Sequence, residues 1–216
     1  MTLSIHLAVL GPIQNNVYFL VDEDSGDCVL IDPSFEAGTQ LRFAEEKGWQ
    51  LRQIWLTHGH YDHIAGAKTV SEAFSPPLPI AMHPDSFAWA AAQPEKMKMG
   101  RRVDPIPRLD VPLTQGMWLD VLPGGSRKLV EVRDVSGHNP GSVLFYIPDL
   151  KMAVVGDAIF RGSIGRTDLE GSDHELLLKN IREQIYTLPD ETMLLPGHGP
   201  ATTVEFEKAN NPFVRG

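Results

Sequence analysis

The chain has 216 residues, 42% of them hydrophobic, which is ample for an extended core. Its 19 lysines and arginines against 28 aspartates and glutamates leave a formal charge of −9, so it lacks the basic surface that nucleic-acid backbones require. The lone cysteine, Cys28, excludes a disulfide within the chain and suits a reducing cytoplasm.

The N-terminal stretch MTLSIHLAVLGPIQ lacks a basic leader and a small-residue cleavage site, so it reads as a first strand rather than a signal peptide. No apolar run approaches the ~20 residues of a membrane span. IHLAVLG and VYFLVD predict strands, and EDSGD a turn into a third strand, CVLIDP. GTQLRFAEEKGW follows as a helix ending near Gly48, then QIWLTH as a strand, IAGAKTVSEAF as one helix and PLPIAMH as a buried strand. Pro84 to Pro123 is the least regular stretch, and PIPRLDVP predicts a surface excursion. Beyond it come strands in KLVEVRDVSGH, SVLFYIP and KMAVVGD, a helix in DHELLLKNIREQIYTL and a strand in ETMLLPGH. No low-complexity tether divides the chain. Residues 1–216 are therefore expected to form one α/β domain, two sheets packed face to face with helices outside.

LTHGHYDHIAG places His58, His60, Asp62 and His63 within six positions. Residues two apart on a strand-like segment face the same way, so His58 and His60 can share a site, and a turn brings Asp62 and His63 to a neighbouring position. Neutral imidazoles and a carboxylate suit zinc, iron or manganese, whereas the same groups without a metal risk unpaired desolvated atoms. Three later apolar strands end in ligand types beside glycine: His138 in VSGHNPGS, Asp157 in AVVGDAIF and His198 in LLPGHGP. Glycine permits the tight turns such a convergence needs. Taken singly, each of these residues reads as a cap, a turn or a hydrogen-bonded surface group. The recurrence points to a metal site.

The run His-x-His-x-Asp-His, with the later Gly-His, Gly-Asp and Gly-His-Gly, resembles the metallo-β-lactamase superfamily. GDAIFRGSIGRTD and LLPGHGPATTVEFEKANNPF make the chain similar to hydroxyacylglutathione hydrolases of the glyoxalase II type, particularly their short single-domain bacterial branch. The resemblance implies a four-layer αβ/βα sandwich and two divalent metal ions, zinc foremost, with iron or manganese as alternatives. His58, His60 and His138 would hold one, Asp62, His63 and His198 the other, and Asp157 would bridge them. Asp32 in VLIDPS would support a ligand from behind. The implied reaction is hydrolysis of a thioester such as S-lactoylglutathione by a metal-bridging hydroxide, oriented by Asp62, with a good thiolate leaving group. Arg166 would meet a glutathione carboxylate, although Asp168 stands where the glutathione-specific enzymes often have tyrosine. The helical C-terminal glutathione-binding domain of the long enzymes is not expected. Ser136 and Asn139 depart from the usual Pro-Gly-His-Thr-Pro-Gly around the ligand histidine.

The alternative is an iron-dependent persulfide dioxygenase using His58, His138 and Asp157, because a 2-His-1-carboxylate iron leaves positions open for oxygen and substrate. A binding module without catalysis is a third reading, and a β-lactamase proper is disfavoured by GRTD and the missing secretory segment. In FAWAAAQPEKMKMGRR, Phe87, Trp89, Met97 and Met99 beside Arg101 and Arg102 read as helix packing with a solvated charge pair, or else as an apolar wall with a cationic rim. The partner is a small-molecule thioester; neither nucleic acid nor membrane is expected.

Overall fold

The computed structural model describes residues 2–93, 97–98, 101–103 and 105–216, with 97–98 and 101–102 described as backbone alone. β1 (Leu3–Leu10), β2 (Asn15–Asp22) and β3 (Asp27–Ile31) form an antiparallel meander. After α1 (Ala37–Glu46), β4 (Gln50–Trp55) pairs in parallel with β3. α2 (Tyr61–Ile64) and α3 (Ala67–Glu72) lead to β5 (Ile80–Met82), parallel to β4. α4 (Pro84–Ala92) and the hairpin of β6 (Met97–Lys98) and β7 (Arg101–Arg102) precede β8 (Val111–Pro112), which closes a sheet ordered β1-β2-β3-β4-β5-β8.

The second sheet takes β9 (Trp118–Leu119), β10 (Val130–Asp134), β11 (Val143–Ile147) and β12 (Met152–Gly156). A small hairpin, β13 (Ile159–Phe160) with β14 (Ser163–Ile164), and α5 (His174–Asn180) intervene, α5 running on into a wider π-helical turn over Ile181–Ile185. β15 (Met193–Pro196), β16 (Thr202–Thr203) and α6 (Val204–Asn210) complete the order β16-β15-β12-β11-β10-β9.

Side-chain alternation explains the layering. Tyr18, Leu20, Val29, Ile31 and Trp55 turn inward to meet Val132, Val143, Phe145 and Val154 of the second sheet. Trp55 and Phe145 stack across the gap at 5.2 Å between ring centroids. The other face of the first sheet, Val17, Phe19, Val21, Leu30 and Ile54, packs on Ala44, Ala67 and Val70 of α1 and α3. Leu144, Ala153 and Val155 pack in turn on Leu177, Ile181 and Val204. Three apolar layers separate four structural ones, which is the αβ/βα sandwich. β2 has no exposed residue because both its faces are covered. Each such side chain contributes roughly 1.5–3 kcal/mol by leaving water.

Three stretches depart from the sequence expectation. IAGAKTVSEAF holds its helix only over Ala67–Glu72, set off from the turn of α2 just before it, because Gly66 donates its N–H to Pro33 O (2.8 Å) and sits where a Cβ would run into Ser34 O. The break frees α2 as a separate turn that presents Asp62 and His63. PIPRLDVP is not wholly superficial: Ile106 is buried and β8 extends the first sheet. Past His198, where the sequence reading places no element, β16 leads into α6, and the Thr203 hydroxyl accepts Phe206 N–H at 3.2 Å as its cap. Among the described residues no helix is long and apolar enough to cross a membrane.

Candidate metal centre

The site gathers where strands of both sheets end. Asp32, just past β3, has φ 52° and is 2% exposed. Its Oδ1 accepts Thr57 N–H (2.7 Å), and its Oδ2 accepts the Thr57 hydroxyl (2.6 Å) and His63 Nδ1–H (2.9 Å). A carboxylate only accepts, so His63 carries its proton on Nδ1 and turns Nε2 inward. The Thr57 oxygen in turn lies 3.0 Å from His58 Nδ1 and accepts from it, which leaves His58 Nε2 bare, 3.1 Å from His60 Nδ1. Asp32 thereby orders two histidines.

His138 and His198 are tethered the same way, through backbone. His138 Nδ1 donates to Arg166 O (2.8 Å) and His198 Nδ1 to Ile13 O (3.2 Å). Their Nε2 atoms lie 3.7 Å from Asp157 Oδ2. Asp157 Oδ1 is 3.4 Å from His63 Nε2, which is also 3.4 Å from Asp62 Oδ2. β12 and β15 make this approach possible. At Gly197 a Cβ would occupy the place of Asp157 Oδ1 and press on the His63 ring, and Gly156 holds φ +51° against Thr57. Only glycine fits such contacts. The histidines of residues 58–60 lie beyond the end of β4, in a loop, yet still converge.

Electrostatics divides the donors. Burial, then the neighbouring imidazoles, pushes the His58 pKa well down; burial also lowers His138 and brings His60 to about 3. For His63 burial acts in the same direction, but Asp157 and Asp62 outweigh it and raise its pKa well above the usual value. His198 is raised by the Asp62 carboxylate against its own burial. Burial opposes ionisation of Asp62 and Asp157, and His63 foremost keeps both below the ordinary carboxylate range.

A divalent metal fits these residues on three counts. His58, His60 and His138 place one ligand atom each within 4.8 Å of one another, and so do Asp62, His63 and His198. Buried His63 Nε2, His138 Nε2 and Asp157 Oδ1 have no hydrogen-bond partner, a state that native proteins avoid unless something else satisfies the atom. The donors are imidazole and carboxylate, the set that zinc, iron and manganese accept. Asp32, His58 and His63 are equally close, but Thr57 and His63 already use both Asp32 oxygens.

Arg166 stands apart. Its guanidinium is exposed and forked on Asp168 (2.7 and 2.8 Å), and only its carbonyl serves the site, through His138. Trp89 of α4 meets the His60 ring edge-on at 5.1 Å, while Met99 and the side chains of Met97, Arg101 and Arg102 lie outside the described residues. Asn139 Oδ1 accepts Gly59 N–H (3.2 Å) and the Ser86 hydroxyl (3.0 Å), linking the loops of His58 and His138 to α4. Asn15, Thr57 and Ser86 carry no sequence signal, whereas Asn139 stood out as a departure from the motif.

Residues 10–198 match the metallo-beta-lactamase superfamily. Among curated proteins, the probable metallo-hydrolase YqgX of Bacillus subtilis (strain 168) is 37% identical over 209 residues, spanning 96% of this chain and 95% of that one. Hydroxyacylglutathione hydrolase GloC of Haemophilus influenzae is 30% identical over 216 residues, 98% of each chain. Among solved structures, the BLEG-1 B3 metallo-beta-lactamase superposes with TM-score 0.86 at 33% identity, covering 99% of this chain and 100% of its own. TTHA1623 in a di-iron-bound form superposes with TM-score 0.83 at 34% identity, covering 97% and 100%. With its sandwich, its clustered donors and a family match over most of its length, the chain belongs to the metallo-beta-lactamase superfamily, as a metallo-hydrolase with a divalent-metal site.

Proposed function

We propose that this metallo-hydrolase cleaves the acyl–sulfur bond of a thioester, S-lactoylglutathione or a similar hydroxyacyl thioester. The observation that carries the reading is the position of Asp157, whose Oδ1 faces His63 while its Oδ2 faces His138 and His198. Two sets of donors thus adjoin one carboxylate. His58, His60 and His138 would hold one cation, Asp62, His63 and His198 the other, and Asp157 would be shared. Zinc is the first choice, with iron or manganese as alternatives. When bound, the pair supplies an ionised water near neutral pH and positive charge for the acyl oxygen.

The chain's own residues do the remaining work. His58, His60 and His138 are kept neutral, so their lone pairs are available without displacing a proton. Asp62 stays ionised and would accept a hydrogen bond from the attacking water, orienting it toward the carbonyl carbon. A thiol has an ordinary pKa of about 8.5, so the sulfur departs without a strong general acid. Cys28 plays no nucleophilic part: it is buried in β3 and burial pushes its thiol far up. The full-length similarity to GloC supports the thioester, and the exposed Arg166–Asp168 pair argues against a strong grip on glutathione itself.

The test counts metals in purified protein and follows thiol release from S-lactoylglutathione before and after chelation. Two equivalents, with activity lost on stripping and restored on reloading, is the expected result. Full activity in metal-free protein would overturn the reading. So would oxygen uptake with a persulfide and no thioester cleavage, the outcome of the dioxygenase alternative built on His58, His138 and Asp157.

A further inference from the structure

Asn15 opens β2, is 1% exposed and lies far in sequence from every histidine of the site. Its Nδ2 donates to Asp62 Oδ2 at 2.7 Å and stands 3.4 Å from His198 Nε2. The rest of the β1–β2 turn grips the loop of His198. Ile13 O holds His198 Nδ1, Asn16 N–H donates to Gly197 O (2.8 Å), and the Asn16 amide donates to Pro196 O (2.8 Å) and Gly199 O (2.9 Å).

We propose that Asn15 is a positioning residue for the Asp62–His63–His198 half of the cage, fixing the Asp62 carboxylate so that this half retains its cation. The inference rests on the two-cation reading above. A carboxylate turns easily about its terminal torsion, which has broad minima. One strong donor on Oδ2 selects the orientation that keeps this oxygen beside His198 Nε2, at 3.1 Å. Two observations separate this role from ordinary packing. Among the described residues the Asn15 amide donates only toward Asp62 and His198. Its own Oδ1 is buried without a partner, which an apolar residue of the same shape would avoid. Among the described residues no hydrogen bond from Asn15 goes to His58, His60 or His138, so the effect is confined to one half.

The experiment uses Asn15→Leu, which keeps the shape and removes the donor, with Asn15→Ala as a second variant and the Tm of the metal-free proteins as a check on folding. Zinc-loaded proteins are titrated with a chelator. Hydrogen-bond partners of metal ligands typically change affinity 10–100-fold. One equivalent is therefore expected to leave Asn15→Leu at about 10–100-fold lower chelator concentration, while the other behaves as in the wild type. In cobalt-loaded protein, the paramagnetically shifted imidazole signals of His63 and His198 should move and those of His58, His60 and His138 should not. Wild-type retention of both equivalents in either variant, or equal loosening of both, would overturn the role of Asn15 alone. A wild-type protein that takes a single equivalent would remove the two-cation reading and this inference with it.

Discussion

Two clusters of buried carboxylates lie in this sandwich, and they are neutralised in opposite ways. At one, Arg127 forks on Asp120 (2.6 to 3.0 Å) and reaches Asp22 (3.0 Å), while the backbone N–H groups of Leu122 and Arg127 also donate to Asp120. At the other, Asp32, Asp62 and Asp157 face histidines, and among the described residues no lysine or arginine pairs with them. The first cluster is closed: its cation is part of the chain. The second leaves Asp157 Oδ1, His63 Nε2 and His138 Nε2 without partners. Buried polar atoms left without partners are costly, so such a cluster persists where an outside cation completes it.

The largest effect that would sharpen this contrast is Asp157→Ala. It should loosen both metals and lower kcat/KM by at least roughly 10³, leaving the fold intact by circular dichroism. Asp32→Ala comes next. It removes the acceptor shared by Thr57 and His63, so metal affinity should fall about 10–100-fold in a chelator titration.

Arg127→Ala attacks the closed cluster and should spare activity per bound metal while lowering stability. The loss should be about 1–2 kcal/mol in urea unfolding, because the Arg127 side chain is 37% exposed and water screens the pair. Burial opposes ionisation of Asp120, but the Arg127 hydrogen bonds outweigh it and depress its pKa. The contribution is therefore fully present above the ordinary carboxylate pKa of about 4 and is lost as pH falls through the lower folded value. The wild-type advantage over Arg127→Ala should shrink along that acid limb. The smallest effect belongs to Arg166→Ala, since its guanidinium is already held by Asp168 at the surface; KM for S-lactoylglutathione should change less than about threefold.

The donors themselves were legible in the sequence because four fall within six positions and the rest follow strand ends beside glycine. The two-sheet layering was legible from β2, β3, β11 and β12, whose apolar runs are continuous because both faces are covered. What stayed hidden has a common cause: it depends on which segments meet in space. Gly66 sets the start of α3 apart from α2 through contacts with Pro33 and Ser34, thirty-odd positions earlier. Asn15 acquires its role by meeting Asp62 across 47 positions, and Ser86 by meeting Asn139 across 53. A single asparagine in a turn has no spacing to betray it. Arg166 shows how local sequence adds a competing partner: the resemblance assigns it to a substrate carboxylate, and in the folded chain its fork rests on Asp168 two positions on.

The central claim is that seven side chains, Asp157 at their centre, form a cage for two cations, and anomalous diffraction from crystals of the metal-loaded protein tests it directly. The account predicts two peaks, one bonded by His58, His60 and His138, the other by Asp62, His63 and His198, with Asp157 touching both. A single peak, or ions held away from these residues, would contradict it.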